Sequence, residues 1–100
     1  MEKHIGKICI VRTNHAGVFF GTLSEMEGDT ASIINCRRLW YWDGAASLSE
    51  LAVNGVTLPR NCKFCIPVQE ITVLGVIEII PCTDKAIESI NSVPVWKMSK

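Results

Sequence analysis

The segment Val18-Phe19-Phe20-Gly21-Thr22-Leu23 is the strongest indication of the fold, because it places a glycine inside a run of strand-forming residues. β-Branched and aromatic residues are typical of strands, whereas an internal glycine often marks a bulge or a sharp bend. Small barrels use such bends to curl a sheet on itself. The segment therefore predicts a curled sheet.

Strand patterns surround this segment and helix signals follow it. Alternating and β-branched residues predict strands at 5–12, 18–23, from 30 into the region beyond 34, at 66–70 and at 71–80, with a bend at Gly75. A capping box at Ser47 predicts a short helix that ends near Asn54-Gly55, and Thr83 caps a second helix over 84–91. The predicted fold class is α+β, mainly β: a small curled barrel of about five strands with two short helices.

Composition indicates one folded domain over residues 1–100. Hydrophobic residues make up 48% of the 100 residues, and mean hydropathy is +0.25, which excludes a disordered chain. A chain of this length buries only about two-thirds of its unfolded surface, so the apolar excess predicts a homo-oligomer. The net charge of zero argues against binding of polymeric nucleic acid and favours a small, locally held anion.

Cysteine usage and the start of the chain indicate a cytoplasmic protein with no membrane association. The chain has no apolar run long enough for a membrane span, and its first residues lack the apolar core of a signal peptide. Five cysteines are an odd number, which predicts reduced thiols that pack as small hydrophobes. Cys62 and Cys65 form the only close pair, and without nearby histidines they predict neither a metal site nor a cofactor.

Arginine and aromatic side chains are concentrated in Arg37-Arg38-Leu39-Trp40-Tyr41-Trp42. Successive side chains of a strand point to opposite faces, so Arg38, Trp40 and Trp42 share one face. Indole rings stack on nucleobases, and guanidinium groups bind phosphate oxygens. The cluster therefore predicts a site for a nucleotide-like anion. The alternative is that its rings belong to the core or to a subunit interface.

Other candidate positions lie outside this cluster. The helix start at Ser47 carries free amides that attract anions, although a purely capping role is the alternative. His15 lies in a polar turn beside a glycine, and Arg60 lies in a loop near the cysteine pair. The predicted ligand-binding residues are Arg37, Arg38, Trp40, Tyr41, Trp42, Ser47, His15 and Arg60.

Catalytic signatures are missing from the sequence. It contains no HExxH, phosphate-binding-loop or nucleophile-elbow pattern, and neither histidine has an adjacent serine or acid. We therefore predict binding without turnover, with no catalytic residue. A hydrolase whose residues meet only in the folded chain stays open as an alternative.

Part of the chain resembles Sm-like and SH3-like small barrels. The resemblance rests on Val18-Phe19-Phe20-Gly21-Thr22-Leu23, on Ile33-Ile34-Asn35-Cys36-Arg37-Arg38, and on Val73-Leu74-Gly75-Val76-Ile77-Glu78-Ile79-Ile80. In those barrels a glycine-containing strand is followed by an apolar strand with a polar end, and a bent strand closes the barrel. The resemblance implies a curled barrel, and it raises an RNA- or DNA-binding ring as an alternative function.

A longer resemblance is to a family of small proteins from tailed phages and prophages. It rests on RRLWYWDGAASLSELA at 37–52, PRNCKF at 59–64, VIEII at 76–80 and SVPVWK at 92–97. The resemblance implies phage origin and residence in the host cytoplasm. Small phage proteins often oppose host defences, some by sequestering nucleotide signals. By this analogy we predict a non-catalytic protein that sequesters a cyclic oligonucleotide or an ADP-ribose derivative; a protein that inhibits a host factor by direct contact is another alternative.

Overall fold

The fold is a curled antiparallel sheet with two helices, described here for residues 3–98 of a computed structural model. The strands are β1 (Ile8–Thr13), β2 (Val18–Glu27), β3 (Thr30–Tyr41), β4 (Lys63–Phe64), β5 (Val68–Val73) and β6 (Val76–Pro81). The helices are α1 (Leu48–Asn54) and α2 (Asp84–Asn91), and a 3-10 turn covers Pro59–Asn61. The α+β, mainly β class is confirmed.

The order of the strands shows why the sheet curls. Strand β1 pairs with β2 and β6, β2 also pairs with β3, and β3 also pairs with β5. The outer strands β5 and β6 are joined only by Leu74 and Gly75. Two edges connected by so short a link must lie close together, so the sheet forms a barrel. The short strand β4 pairs with the far end of β3.

Gly21 lies where β2 and β3 bend, as predicted. Phe20 pairs with Arg37 and Thr22 pairs with Ile34, so the register shifts opposite Gly21 and leaves a bulge in β3. Asn35 in this bulge has a φ of 52°. A Cβ at Gly21 would lie 2.7 Å from Ile33 Cγ2 and 2.8 Å from Ile34 O, so only glycine permits this approach.

The sheet has an apolar core on each of its faces. The barrel interior is a cluster of buried residues: Cys9, Val11, Phe19, Leu23, Ala31, Ile33, Cys36 and Val73. The other face packs against the helices and the loop between them through Ile10, Phe20, Leu39, Leu51, Ala52, Val56, Cys62, Phe64, Ile90 and Val93. The two cores together fix the position of β3, which contributes to both.

The predicted boundaries hold for the helices and differ for some strands. Both helices end at the predicted residues, with Ser47 and Thr83 as their caps. The last two strands divide at Gly75 and not between residues 70 and 71, because the chain turns from the β3 edge to the β1 edge there. Strand β4 was not predicted, since a two-residue strand has no detectable periodicity. No helix within residues 3–98 is long and apolar enough to cross a membrane.

Candidate functional site

Arg37 is a buried structural residue, which corrects its prediction as a phosphate ligand. Its side chain is only 4% exposed. The guanidinium donates hydrogen bonds to the carbonyl oxygens of Cys65 (3.0 Å), Ile90 (2.9 Å), Phe64 (3.3 Å), Val93 (2.9 Å) and Pro94 (3.4 Å). Burial lowers the pKa of Arg37, with a smaller opposing contribution from Cys65. Because its donors are engaged by the chain's own carbonyls, we remove it from the candidate site.

Arg38 has the opposite environment, although it is the next residue. Its guanidinium is exposed and lies 5.0 Å from the centroid of the Phe19 ring, at the end of the barrel interior. The one ion pair within residues 3–98 joins Arg12 to Glu78, so Arg38 faces no carboxylate partner in the described part of the chain. A cation held over a ring and left without an anion is suited to an external anionic group.

Arg38 lines an open groove of about 400 Å³ together with His15, Trp40 and Trp42. The alternation of β3 brings Arg38 and Trp40 to the same side. Trp42 follows the strand and also lines the groove, although it packs in part against the core under the helices. His15 comes from the turn between β1 and β2. We call this feature the Arg38 groove. It unites four of the predicted ligand residues, one of which, His15, lies far from the others in sequence.

The outer side of the groove carries a stacked pair of tryptophans. The rings of Trp40 and Trp96 lie 5.2 Å apart between centroids, at an interplanar angle of 23°. The ammonium of Lys63 is 5.0 Å from the centroid of Trp40 and 5.4 Å from that of Trp96. The main-chain N–H of Trp96 donates a hydrogen bond to Phe64 O at 2.9 Å, and Val95 forms a β-bridge with Phe64, so the tail is held along β4. The tail thus fixes one face of Trp40.

We expect the Trp40–Trp96 stack to contribute about 1 kcal/mol to the free energy of unfolding, the amount typical of an aromatic pair beyond simple burial. The measurement is a double-mutant cycle with Trp40→Ala, Trp96→Ala and the double variant in urea. Trp96→Ala paired with Tyr41→Ala is the control cycle, for which we expect no coupling above the experimental error. Equal coupling in both cycles, or none in either, would contradict the prediction.

The Ser47 hydroxyl caps helix α1, which corrects the prediction of Ser47 as a ligand residue. Its hydroxyl accepts a hydrogen bond from Glu50 N at 3.1 Å. The Glu50 carboxylate accepts one from Ala46 N at 2.7 Å. The predicted capping box is confirmed, with Glu50 reaching one residue further back than expected. A carboxylate already lies at this helix start, so it repels a second anion.

Tyr41 and Arg60 do not join the Arg38 groove. Tyr41 is exposed at the end of β3 but is not part of the groove lining. Arg60 lies in the 3-10 turn beside a separate cavity of about 240 Å³ that also contains Leu58. These two residues are therefore removed from the candidate site, because the fold places them elsewhere on the surface.

A second cavity, of about 490 Å³, adjoins the groove and was not predicted. It shares His15, Ala16 and Arg38 with the groove, and its other walls include Asn14 and Leu74. These residues come from the β1–β2 and β5–β6 turns, which meet through a hydrogen bond from Asn14 N to Gly75 O at 2.9 Å. No periodicity connects two turns so distant in sequence, and only the barrel closure brings them together.

The cysteines behave as packing residues, as predicted for most of them. Cys9, Cys36 and Cys62 are buried, and no cysteine among the described residues forms a disulfide. Burial raises the pKa of Cys36 to about 12 and that of Cys82 to about 12. Such thiols stay protonated and weakly nucleophilic near neutral pH. Within residues 3–98, no cluster of histidine, cysteine and acidic side chains is arranged to hold a metal ion.

These features define a small β-barrel domain with a solvent-open groove of cationic and aromatic side chains. The sequence model of the family described as domain of unknown function DUF6948 matches residues 6–90. The chain therefore belongs to this family. Among curated proteins and among solved structures, none matches the chain significantly.

Proposed function

We propose that the protein binds a small, nucleotide-derived anion in the Arg38 groove and holds it without chemical change. The observation that carries this proposal is the exposed guanidinium of Arg38, which has no carboxylate partner within residues 3–98 and shares a groove with two indole rings. A core or a helix cap has no use for such an arrangement, whereas a phosphate and a base together satisfy it.

Each part of the groove has a role in this proposal. Arg38 binds a phosphate group through paired hydrogen bonds, and His15 adds a donor from the facing turn. Trp40 or Trp42 provides a surface on which a base stacks, a contact that contributes about 1 to 3 kcal/mol. A charge-assisted hydrogen bond adds about 1.5 to 3 kcal/mol. The stack on Trp96 holds Trp40 in place before the ligand arrives, which reduces the entropy lost on binding.

The biological part of the proposal follows from the resemblance to phage proteins. In it, the protein acts in the cytoplasm of an infected cell as a homo-oligomer and removes a cyclic oligonucleotide or an ADP-ribose derivative from host signalling. Sequestration requires tight binding and no catalytic group. Among residues 3–98, the groove lining contains one histidine and no acidic residue, which favours retention of the ligand over hydrolysis.

Replacing Arg38 by glutamine is expected to weaken binding of the anionic ligand by about 10- to 100-fold, because a neutral amide cannot form the paired ionic hydrogen bonds. The measurement is calorimetry of the full chain against cyclic dinucleotides, cyclic trinucleotides and ADP-ribose. Arg12→Gln is the matched control, since Arg12 is an exposed arginine of β1 that pairs with Glu78 outside the groove.

Two outcomes of this experiment would overturn the proposal. One is the absence of binding across the whole panel at millimolar ligand. The other is binding that Arg38→Gln and Arg12→Gln weaken to the same extent. Recovery of the bound compound after incubation separates sequestration from hydrolysis, because an altered compound would identify an enzyme.

A second candidate function is inhibition of a host protein by direct contact. Trp40 is 59% exposed and Trp96 is 45% exposed, and exposed tryptophans are typical of protein interfaces. In that case Trp96→Ala abolishes capture of a stoichiometric host partner. Nucleotide titrations of the parent protein and of Arg38→Gln both show no binding. A nucleic-acid ring is a third case, in which binding falls steeply with salt.

A further inference from the structure

We propose that the ligand has two ring-bearing halves joined through phosphate, and that it spans the Arg38 groove and the second cavity with its phosphate at Arg38. This inference rests on the proposed function and names the class of its ligand as a dinucleotide. Its starting point is that the two cavities are not separate features. They share His15, Ala16 and Arg38 as a common wall.

The volumes fit one half of such a ligand on each side. The groove measures about 400 Å³ and the second cavity about 490 Å³. Sites for small molecules usually measure about 300 to 1,000 Å³, so each cavity is large enough for one nucleoside. A mononucleotide fills one of them and leaves the other to water.

The charges place the phosphate between the halves and not at an end. Among residues 3–98, Arg38 is the only lysine or arginine in the lining of either cavity, and it belongs to both. Its guanidinium is held over the Phe19 ring at the boundary of the barrel interior. One shared cation suits one bridging phosphate, whereas a terminal triphosphate would place several negative charges where no second lysine or arginine is present.

The walls of the second cavity suit a base or a sugar and not a second anion. Ile71 is half-buried and Leu74 forms a rim that is 67% exposed, so these two side chains supply apolar surface, whereas Phe19 and Val73 of the same lining are buried. Asn14 is the one side-chain amide in this lining, and it offers both a donor and an acceptor to a base edge or a hydroxyl. The Arg38 groove contains the indole rings of Trp40 and Trp42, so each half of the ligand contacts apolar surface.

The test compares each common nucleoside monophosphate with the matching dinucleoside monophosphate by calorimetry on the full chain. The dinucleoside probe carries fewer negative charges, so tighter binding cannot arise from charge. We expect the dinucleoside monophosphate to bind about 10-fold more tightly, which corresponds to one additional buried ring. Leu74→Ser should remove most of this advantage and leave the affinity for the nucleoside monophosphate within about two-fold.

Leu58→Ser is the matched control, because Leu58 is 46% exposed on a cavity that does not adjoin Arg38. It should leave both affinities unchanged. Equal affinity for the two probes, or equal weakening of both by Leu74→Ser, would overturn the two-cavity ligand while leaving the Arg38 groove intact. Silence from both probes and from the cyclic nucleotides and ADP-ribose would overturn the proposed function itself.

Discussion

Replacing Arg37 by alanine is expected to lower the free energy of unfolding by about 3 to 5 kcal/mol, because several buried carbonyl oxygens lose their hydrogen-bond donor at once. The guanidinium donates hydrogen bonds to carbonyl oxygens of two segments and so links them. One segment is Phe64 and Cys65, at the end of β4, and the other runs from Ile90 at the end of α2 to Val93 and Pro94. Alanine leaves these acceptors in a partly buried cavity, and each unsatisfied carbonyl costs about 1 to 3 kcal/mol.

The measurement is equilibrium unfolding in urea, with Arg38→Ala as the control on the same strand. Arg38 is exposed and loses only its contact with the Phe19 ring, so its variant should stay within about 1 kcal/mol of the parent protein. Arg37→Lys covers the case in which Arg37→Ala does not fold, because one ammonium satisfies fewer of the carbonyls and a smaller loss is expected. Similar stability of Arg37→Lys, Arg38→Ala and the parent would contradict the role assigned to Arg37.

Replacing Gly21 by alanine is expected to lower the free energy of unfolding by about 3 kcal/mol, the upper end of the range for overpacking. The added methyl group would lie 2.8 Å from Ile34 O and 3.1 Å from Asn35 O. These are main-chain atoms of β3, and they cannot move away without disturbing the ladder between β2 and β3. The bend that curls the barrel would open as a result.

Gly28→Ala provides the comparison for this experiment. A Cβ at Gly28 meets nothing within 4 Å, and its φ of 60° is a left-handed value that alanine adopts at a cost of about 1 to 2 kcal/mol. Thermal and urea unfolding of both variants should therefore rank Gly21→Ala as the more damaging. If Gly28→Ala were equally or more destabilising, the close approach at Gly21 would not control the curl of the sheet.

Arg37 and Arg38 show which features of the site could be predicted from the sequence and which could not. Period-2 alternation predicted that they face opposite sides of the sheet, and it also predicted that Arg38, Trp40 and Trp42 share a side. It did not predict which side would be covered. That depends on the end of α2 and on Val93 and Pro94, which accept hydrogen bonds from Arg37 and are more than fifty residues away in the chain.

The candidate site was predictable in part for the same reason. Arg38 and Trp40 lie on one strand and Trp42 follows its end directly, so their proximity is a local property. The sequence predicted that Trp96 anchors the tail against the fold or a neighbour, but it did not predict contact of Trp96 or Lys63 with Trp40. Both reach Trp40 because β4 pairs with β3 and the tail pairs with β4. Ser47 was predicted correctly as a cap. The same capping box brings the Glu50 carboxylate to the helix start, which disfavours the ligand role also predicted for Ser47.

The sequence by itself determined many local features of this protein: most of the strands, both helix caps and the bend at Gly21. Backbone propensity and side-chain alternation act over a few residues, so their effects can be predicted from the sequence alone. The tertiary structure alone decided that Arg37 is enclosed, that Arg38 is left open, and that two distant turns form a second cavity beside it. Burial and charge pairing depend on contacts between remote segments, and those contacts exist only after the barrel has closed.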